Sequence, residues 1–126
     1  MAGITEAILT AAFCSAIGGV EEVRHNYEHG YIRSDCETTT HVIEAGLDKR
    51  SSLDSIQQAV FAHTLTGKIP VVVIYDTDGK EGKWQFRIRQ AAERLSVPYI
   101  VVNAKDPKRP LTLPECSIST PSVCLW

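Results

Sequence analysis

The sequence predicts a single α/β domain with a mixed central sheet, and three observations support this fold class. The chain has 126 residues, of which 44% are hydrophobic and 22% charged, a composition typical of a globular domain with its own core. Helix-type and strand-type hydrophobic patterns alternate along the chain. Residues 71–75 read VVVIY, a largely β-branched run that is typical of a strand covered on both faces of a sheet.

The predicted elements follow the order helix, three strands, helix, strand, helix, strand. Glycine and proline residues separate most of them, as expected at element boundaries. Residues 1–103 form the predicted domain, and residues 104–126, with four of the six prolines, form a surface-draped or partly disordered tail. The predicted elements are a helix at 4–16 with Ile8, Ala11 and Ala12 in its apolar stripe, strands at 20–28, 31–37 and 41–46, a helix from Ser51 to the closing Gly67, a strand at 71–75, a helix with the core face Trp84, Ile88, Ala91, Ala92 and Leu95, and a strand at 99–103.

Two carboxylates stand out in the predicted strands. If the second and third strands form a hairpin whose loop is centred on Thr39 and Thr40, Asp35 lies across from Glu44 and both side chains project from one face. Opposed like charges are destabilising unless something compensates them, and a hard cation such as Mg²⁺ prefers carboxylate oxygens. This pattern predicts a metal site, and the alternative is a solvated sheet face. Glu6 is either a third acid for that site or a helix-dipole acid.

The motifs RSD in the second strand and VIEAG in the third, with Gln57 in the next helix, resemble the PD-(D/E)XK nuclease superfamily when taken with the element order. The resemblance covers about residues 4–103 and implies a restriction-endonuclease-like fold, an αβββαβ core followed by an additional helix and strand. Asp35 and Glu44 match the two acids of the motif, and Gln57 with Phe61 resembles the Q-x-x-x-Y signature of the RecB-like branch. The implied activity is metal-dependent hydrolysis of DNA phosphodiesters. The implied site residues are Glu6, Asp35 and Glu44 as ligands of Mg²⁺ or Mn²⁺, with Asp35, Glu44 and Gln57 as catalytic residues.

One departure concerns the catalytic lysine that the family places two residues after the second acid. The chain has Gly46 at that position. Lys49 follows in a short polar stretch, and its long side chain could return to the space beside Glu44, so Lys49 is the predicted displaced catalytic lysine. In the alternative, Lys49 and Arg50 are solvated loop charges, and the chain is an inactive relative that serves as a nucleic-acid or protein binding module. The side chains that would then suit phosphate contacts are Lys83, Arg87, Arg89 and Arg94 of the third helix.

A second resemblance is to the Toprim pattern, in which a strand-end Glu and a later DxD hold Mg²⁺. Glu44 with Asp48, and Asp76 with Asp78, match its spacings. Only one helix separates VIEAG from VVVIYD, where Toprim domains usually have further elements, so this is the less favoured reading. In the alternative, Asp76 and Asp78 form a turn and begin the following helix.

Charge, hydropathy and cysteine usage bear on the surroundings of the chain. A net charge of −2 gives no bulk attraction for nucleic acid, so DNA binding requires a local basic patch. Apolar runs fall short of the roughly 18 residues of a membrane span, which predicts a cytoplasmic protein without membrane contact. Cys14, Cys36, Cys116 and Cys124 lack metal-site spacing and are predicted to be buried or incidental thiols, although the last two could pair if oxidised. Many nuclease domains of this size are dimers, so a homodimer is one option.

Overall fold

The computed structural model describes residues 2–109 and 112–114. The predicted pairing of Cys116 with Cys124 lies outside these residues. Within them, three helices and five strands follow the predicted order. The elements are α1 (Ala2–Ala16), β1 (Val20–Tyr27), β2 (Gly30–Glu37), β3 (His41–Leu47), α2 (Leu53–Thr66), β4 (Ile69–Asp76), α3 (Lys83–Arg94) and β5 (Tyr99–Asn103).

The five strands form one mixed sheet in the order β1-β2-β3-β4-β5. The pairs β1/β2 and β2/β3 are antiparallel, because each connection is a short turn. The pairs β3/β4 and β4/β5 are parallel, because α2 and α3 carry the chain back across the sheet, as parallel pairing requires. The predicted α/β class and the mixed sheet are confirmed.

The core has two layers of packing, one on each face of the sheet. On one face, Leu9 and Phe13 of α1 pack against alternate residues of β3 and β4 such as Ile43. On the other face, Ile56 of α2 and Ile88 of α3 pack in a cluster with Val72 and Ile74 of β4. Residues 71–75 of β4 are fully or almost fully buried, as the VVVIY run predicts for a strand between two layers.

Three details of the helices differ from the sequence prediction. The buried stripe of α1 contains Leu9 and Phe13, and Ile8 is 63% exposed, because the helix is turned by about one residue from the predicted orientation. Leu95 is 55% exposed because α3 ends at Arg94 and Leu95 is its C-cap. The N-cap of α2 is Ser52, not Ser51.

Cys14 of α1 and Cys36 of β2 form a disulfide with an S–S distance of 2.09 Å, so the prediction of free thiols is wrong for this pair. Their Cα atoms lie 5.8 Å apart, within the range that a disulfide spans. A Cβ on Gly19 would lie 2.6 Å from the Cys36 sulfur, so only a glycine leaves room for the bridge at that turn. The disulfide ties the helix that carries Glu6 to the strand that carries Asp35.

The described part of the tail returns to the domain. Leu113 packs against the core on the α1 face of the sheet. The ring Nε2–H of His41 donates a hydrogen bond to the carbonyl oxygen of Pro114 at 2.9 Å. None of the described helices has the length and apolar character that crossing a bilayer requires.

Candidate active site

Asp35 and Glu44 meet where the hairpin ladder between β2 and β3 stops. The paired residues are Glu37 with Val42 and Cys36 with Ile43, which is the predicted register, and one further step places Asp35 opposite Glu44. There the two carboxyl groups accept the hydrogen bonds that carbonyl groups accept in a regular ladder. Glu44 Oε2 accepts from the Asp35 N–H at 3.1 Å, and Asp35 Oδ2 accepts from the Ala45 N–H at 2.8 Å.

Burial disfavours a state in which both carboxyl groups are negatively charged. Glu44 is 3% exposed. Burial, followed by the negative charge of Asp35, raises the pKa of Glu44 to about 8. Burial also raises the pKa of Asp35, and the Ala45 N–H offsets part of that increase. At neutral pH the pair therefore retains a proton on Glu44, as expected for two carboxyl groups that share a buried site.

The two carboxyl groups line neighbouring cavities, and Gln58 borders a cavity of each. Asp35 lines a cavity of about 210 Å³ with Glu6 and Thr10 of α1 and with Glu22 of β1. Glu44 lines a larger cavity against α2. The hydrogen bonds between the two positions connect these cavities, so acids from α1, β1, β2 and β3 converge on one region.

Glu22 is an acid of this region that the sequence analysis missed. In the β1/β2 ladder, Glu21 pairs with Cys36 and Val23 with Ser34, so Glu22 falls opposite Asp35. The backbone of Glu22 has φ +51°, a conformation that is uncommon for a residue other than glycine. Glu6 and Glu22 both raise the pKa of Asp35 by like charge, after the larger effect of burial. The two-residue turn between β1 and β2 was the sequence signal that could have identified this alignment.

A cation reaches the acidic region from the loop after β3. Arg50 forms an ion pair with Glu6, and both residues line a cavity of about 250 Å³ together with Asp35 and Gln58. Lys49, the predicted displaced lysine, has an exposed side chain. The sequence analysis treated Arg50 only as a possible loop charge, and the structure brings it to the acids.

The space beside Gly46, where the PD-(D/E)XK pattern would place a lysine, is filled by another residue. A Cβ built on Gly46 would lie 2.4 Å from Ser52 Oγ and 2.9 Å from Ser52 Cβ. The Ser52 hydroxyl donates to the carbonyl oxygen of Leu47 at 3.2 Å. No side chain at position 46 fits unless Ser52 moves.

Gln57 and Phe61 lie on α2 beside Glu44. All three residues line a cavity of about 440 Å³, between α2 and the β1/β2 hairpin. Tyr27, at the end of β1, closes the far side of this cavity and contacts the Phe61 ring edge-to-face with 5.0 Å between centroids. The structure thus brings the predicted Gln57 to Glu44.

A second group of acids lies at the carboxyl ends of β3 and β4. Ligand oxygens of Asp48, Asp76 and Asp78 lie within 4.8 Å of one another, close enough to hold a metal ion together. Each carboxylate already accepts hydrogen bonds: Asp48 from Thr77, Asp76 from the N–H groups of residues 78 and 79, and Asp78 from the N–H of residue 80. Glu44 lies with Asp35 instead of with this group. Asp76 and Asp78 therefore form a turn, as the alternative expected, but they do not begin α3, which starts at Lys83 with Gly82 as its N-cap.

A buried charge network next to the site was not predicted. Glu37 is 3% exposed and is paired with His25 and with Lys68, whose Nζ lies 2.9 Å from Glu37 Oε1. Burial raises the pKa of Glu37, but hydrogen bonds from Ser34, His25 and Lys68 hold it below its ordinary value. Because its charge is compensated, Glu37 is not a free ligand, in contrast to Glu44.

Comparison with protein-family models gives no match, and comparisons with curated proteins and with solved structures give none either.

Proposed function

We propose that the chain is a metal-dependent nuclease that hydrolyses DNA phosphodiesters. Mg²⁺ or Mn²⁺ would be held by Asp35 and Glu44, with Glu6 as a further ligand. The observation that carries the proposal is the buried Asp35–Glu44 pair, in which each carboxyl group accepts an N–H donor from the opposite strand.

The donor set fits such a cation. Carboxylate oxygens are the ligands that Mg²⁺ prefers, and its sites typically use one or two protein carboxylates with water and substrate oxygens in the other positions. The N–H groups of Asp35 and Ala45 orient both carboxyl groups at 3.1 and 2.8 Å. A cation that displaced the proton of Glu44 would relieve the repulsion that raises its pKa.

The remaining residues have defined tasks in this proposal. When bound, the metal would activate a water molecule and stabilise the charge that develops on the phosphate. The oxygen of that water would form a bond to phosphorus as the bond from phosphorus to one ester oxygen breaks; the water proton would pass to solvent, and the leaving oxygen would take up a proton from solvent. Gln57 would position the phosphate beside Glu44. Lys49 remains the candidate for the family lysine, and Arg50, held at Glu6, is the second cation available to the phosphate.

A non-catalytic DNA-binding module is the alternative, and one observation favours it. Ser52 occupies the space that a side chain at position 46 would need, so the standard lysine position is closed. The exposed basic residues Lys83 and Arg87 lie over the Trp84 ring at 4.8 and 4.9 Å, which is a surface suited to phosphate contacts. Arg89 is already paired with Glu81 and Glu93.

The test is cleavage of single-stranded, double-stranded and branched DNA with Mg²⁺ or Mn²⁺. The native chain is compared with Asp35→Asn and Glu44→Gln, which keep the side-chain shapes and remove the carboxyl groups that would bind the cation. Asp78→Asn is the matched control, because it removes an acid from the second group. Metal binding is followed in parallel by calorimetry.

The nuclease proposal expects cleavage by the native chain and Asp78→Asn, and loss of both cleavage and metal binding in the other two variants. Metal binding that depends on Asp78 but not on Glu44 would move the metal site to the second acidic group. DNA binding without cleavage in any metal, and without metal binding at Asp35 and Glu44, would establish the binding module instead.

A further inference from the structure

The cavity between α2 and the β1/β2 hairpin has two chemically different walls. Its volume of about 440 Å³ lies within the range of small-ligand cavities. Tyr27, Ile32 and Phe61 supply aromatic and aliphatic surface. Gln57 and Gln58 supply amide groups from the exposed side of α2.

The aromatic wall is accessible to a planar ligand. Tyr27 is 36% exposed, and its ring stands nearly perpendicular to that of Phe61, with an angle of 81° between the planes. The contact with Phe61 therefore covers only part of the Tyr27 ring. Among the described aromatic rings, the other one near Tyr27 is His29, with 6.4 Å between centroids. Stacking on such rings is the usual way in which proteins hold unpaired bases.

The amide wall offers hydrogen bonds of both kinds. Gln side chains carry an acceptor oxygen and a donor NH₂ group, which complement the donors and acceptors on the edge of a nucleobase. Glu44 also lines this cavity, so a base bound there lies beside the proposed metal site. The phosphate of that nucleotide would be close to the acids.

Two arginines lie side by side on the hairpin that borders the cavity. Arg24 and Arg33 are directly opposed across β1 and β2, an arrangement that is destabilising unless it is compensated. Both guanidinium groups lie over the Tyr31 ring, at 3.9 and 5.7 Å from its centroid. Arg33 also lines the cavity. In a chain with net charge −2, this pair provides the local positive patch that a nucleic-acid backbone requires.

We infer that this cavity binds one unpaired nucleobase next to the scissile phosphate, so that the substrate class is single-stranded DNA or a single-stranded end. The inference rests on the proposed nuclease function. A paired base in a duplex is stacked on both sides and has its hydrogen-bonding edge occupied, so it cannot enter a concave cavity without being extruded. An unpaired base enters without that cost.

The test measures binding without turnover, by fluorescence anisotropy in EDTA with a labelled oligonucleotide and its duplex of the same sequence. Tyr27→Leu removes stacking and keeps apolar volume. Phe86→Leu is the matched control, because Phe86 is 48% exposed on α3 outside the cavity. Oligonucleotides with one abasic nucleotide, scanned along the strand, report the base itself.

The native chain is expected to bind the single strand more tightly than the duplex. Tyr27→Leu is expected to lower single-strand affinity by about tenfold, the order of one lost base–aromatic stack, and to leave duplex affinity unchanged. An abasic nucleotide at one position should weaken binding to the native chain and cause no further loss in Tyr27→Leu. Phe86→Leu should bind like the native chain.

Equal effects of Tyr27→Leu and Phe86→Leu, or equal affinity for single strand and duplex, would overturn the base-binding inference. Because these measurements contain no metal, they stand apart from the cleavage assay. If the native chain cleaves DNA but Tyr27→Leu does not change single-strand affinity, the base-binding inference is wrong and the nuclease proposal stands. If affinity for the single strand depends on the base but no DNA is cleaved, the nuclease proposal is wrong.

Discussion

The hydroxyl of Ser52 occupies the space above Gly46, with only 2.4 Å between Ser52 Oγ and the position that a Cβ on residue 46 would take. Rotation of the hydroxyl would relieve that contact but not the one at 2.9 Å to Ser52 Cβ. The absence of a lysine two residues after Glu44 is thus accompanied by packing that closes the position. A side chain at position 46 therefore requires a change at Ser52.

Restoring a lysine at position 46 is therefore expected to require two changes. Gly46→Lys alone should lower the free energy of unfolding by about 1–3 kcal/mol, as overpacking does. Gly46→Lys with Ser52→Gly should recover most of that loss, since glycine is tolerated at an N-cap. Urea unfolding of the two variants and of Ser52→Gly alone measures the coupling. Equal losses in the single and double lysine variants would contradict the packing argument.

The Asp35–Glu44 pair is expected to make stability fall as pH rises. The folded-state pKa of Glu44, about 8, lies above its ordinary value of 4.5. Protonated Glu44 therefore stabilises the folded state, and this stabilisation is lost as the pH rises from 4.5 to about 8. Glu44→Gln should remove the decline, which we expect to be on the order of a few kcal/mol. Urea unfolding across this pH range measures it.

A divalent cation should oppose this decline, because it replaces the proton at Glu44. Saturating Mg²⁺ at pH near 8 is expected to stabilise the native chain and to leave Glu44→Gln unchanged. Glu28→Gln, an exposed acid at the hairpin tip, is the control. A pH profile that is the same in the native chain and in Glu44→Gln would contradict the assignment of the proton.

The disulfide between Cys14 and Cys36 is expected to contribute about 3 kcal/mol to the free energy of unfolding, the chain-entropy value for a sequence separation of 22 residues. Cys14→Ser in a background with Cys116→Ser and Cys124→Ser isolates this bridge. Urea unfolding with and without reductant compares the parent with the variant. Reductant should destabilise only the parent, and a parent that is indifferent to reductant would show that the bridge is absent or without effect.

Lys68 is expected to stabilise the charged form of Glu37. Lys68→Met removes one of its three side-chain partners and should cost about 1–3 kcal/mol at neutral pH. The folded-state pKa of Glu37 is below its ordinary value of 4.5, so its contribution to stability is present above that pH and is lost as the pH falls through the lower folded-state value. The penalty of Lys68→Met should therefore shrink in acid, whereas Lys80→Met, at an exposed site, should cost little at any pH. A pH-independent penalty would contradict an electrostatic role.

The order of elements and the register of the central hairpin were accessible from the sequence because they depend on local patterns. The position of the turn at Thr39 and Thr40 fixes which residues of β2 and β3 face each other, so the proximity of Asp35 and Glu44 was predictable. Their placement in separate cavities was not. The β1/β2 ladder is interrupted at Glu22, which has a φ of +51°. A glutamate in the sequence does not indicate such a backbone conformation, so this interruption could not be predicted.

Other features depended on how distant segments pack. The rotation of α1 brings Cys14 to Cys36, and their sequence separation of 22 gives no spacing signal for this bridge. Arg50 reaches Glu6 only because the loop after β3 passes the start of α1. The network around Glu37 likewise joins Lys68, next to β4, to the hairpin. Such contacts are tertiary, and periodicity along the chain does not encode them.

The irregular backbone at Glu22 also affects how the molecule can associate. Among the described strands, β1 lies at one edge of the sheet, and an open edge can template pairing with another chain. Exposed Glu21, Glu22 and Arg24 put charge along this edge, and the left-handed residue breaks its regular spacing of donors and acceptors. The irregular backbone at Glu22, which lies opposite Asp35, is thus also expected to disfavour edge-to-edge pairing between copies of the protein.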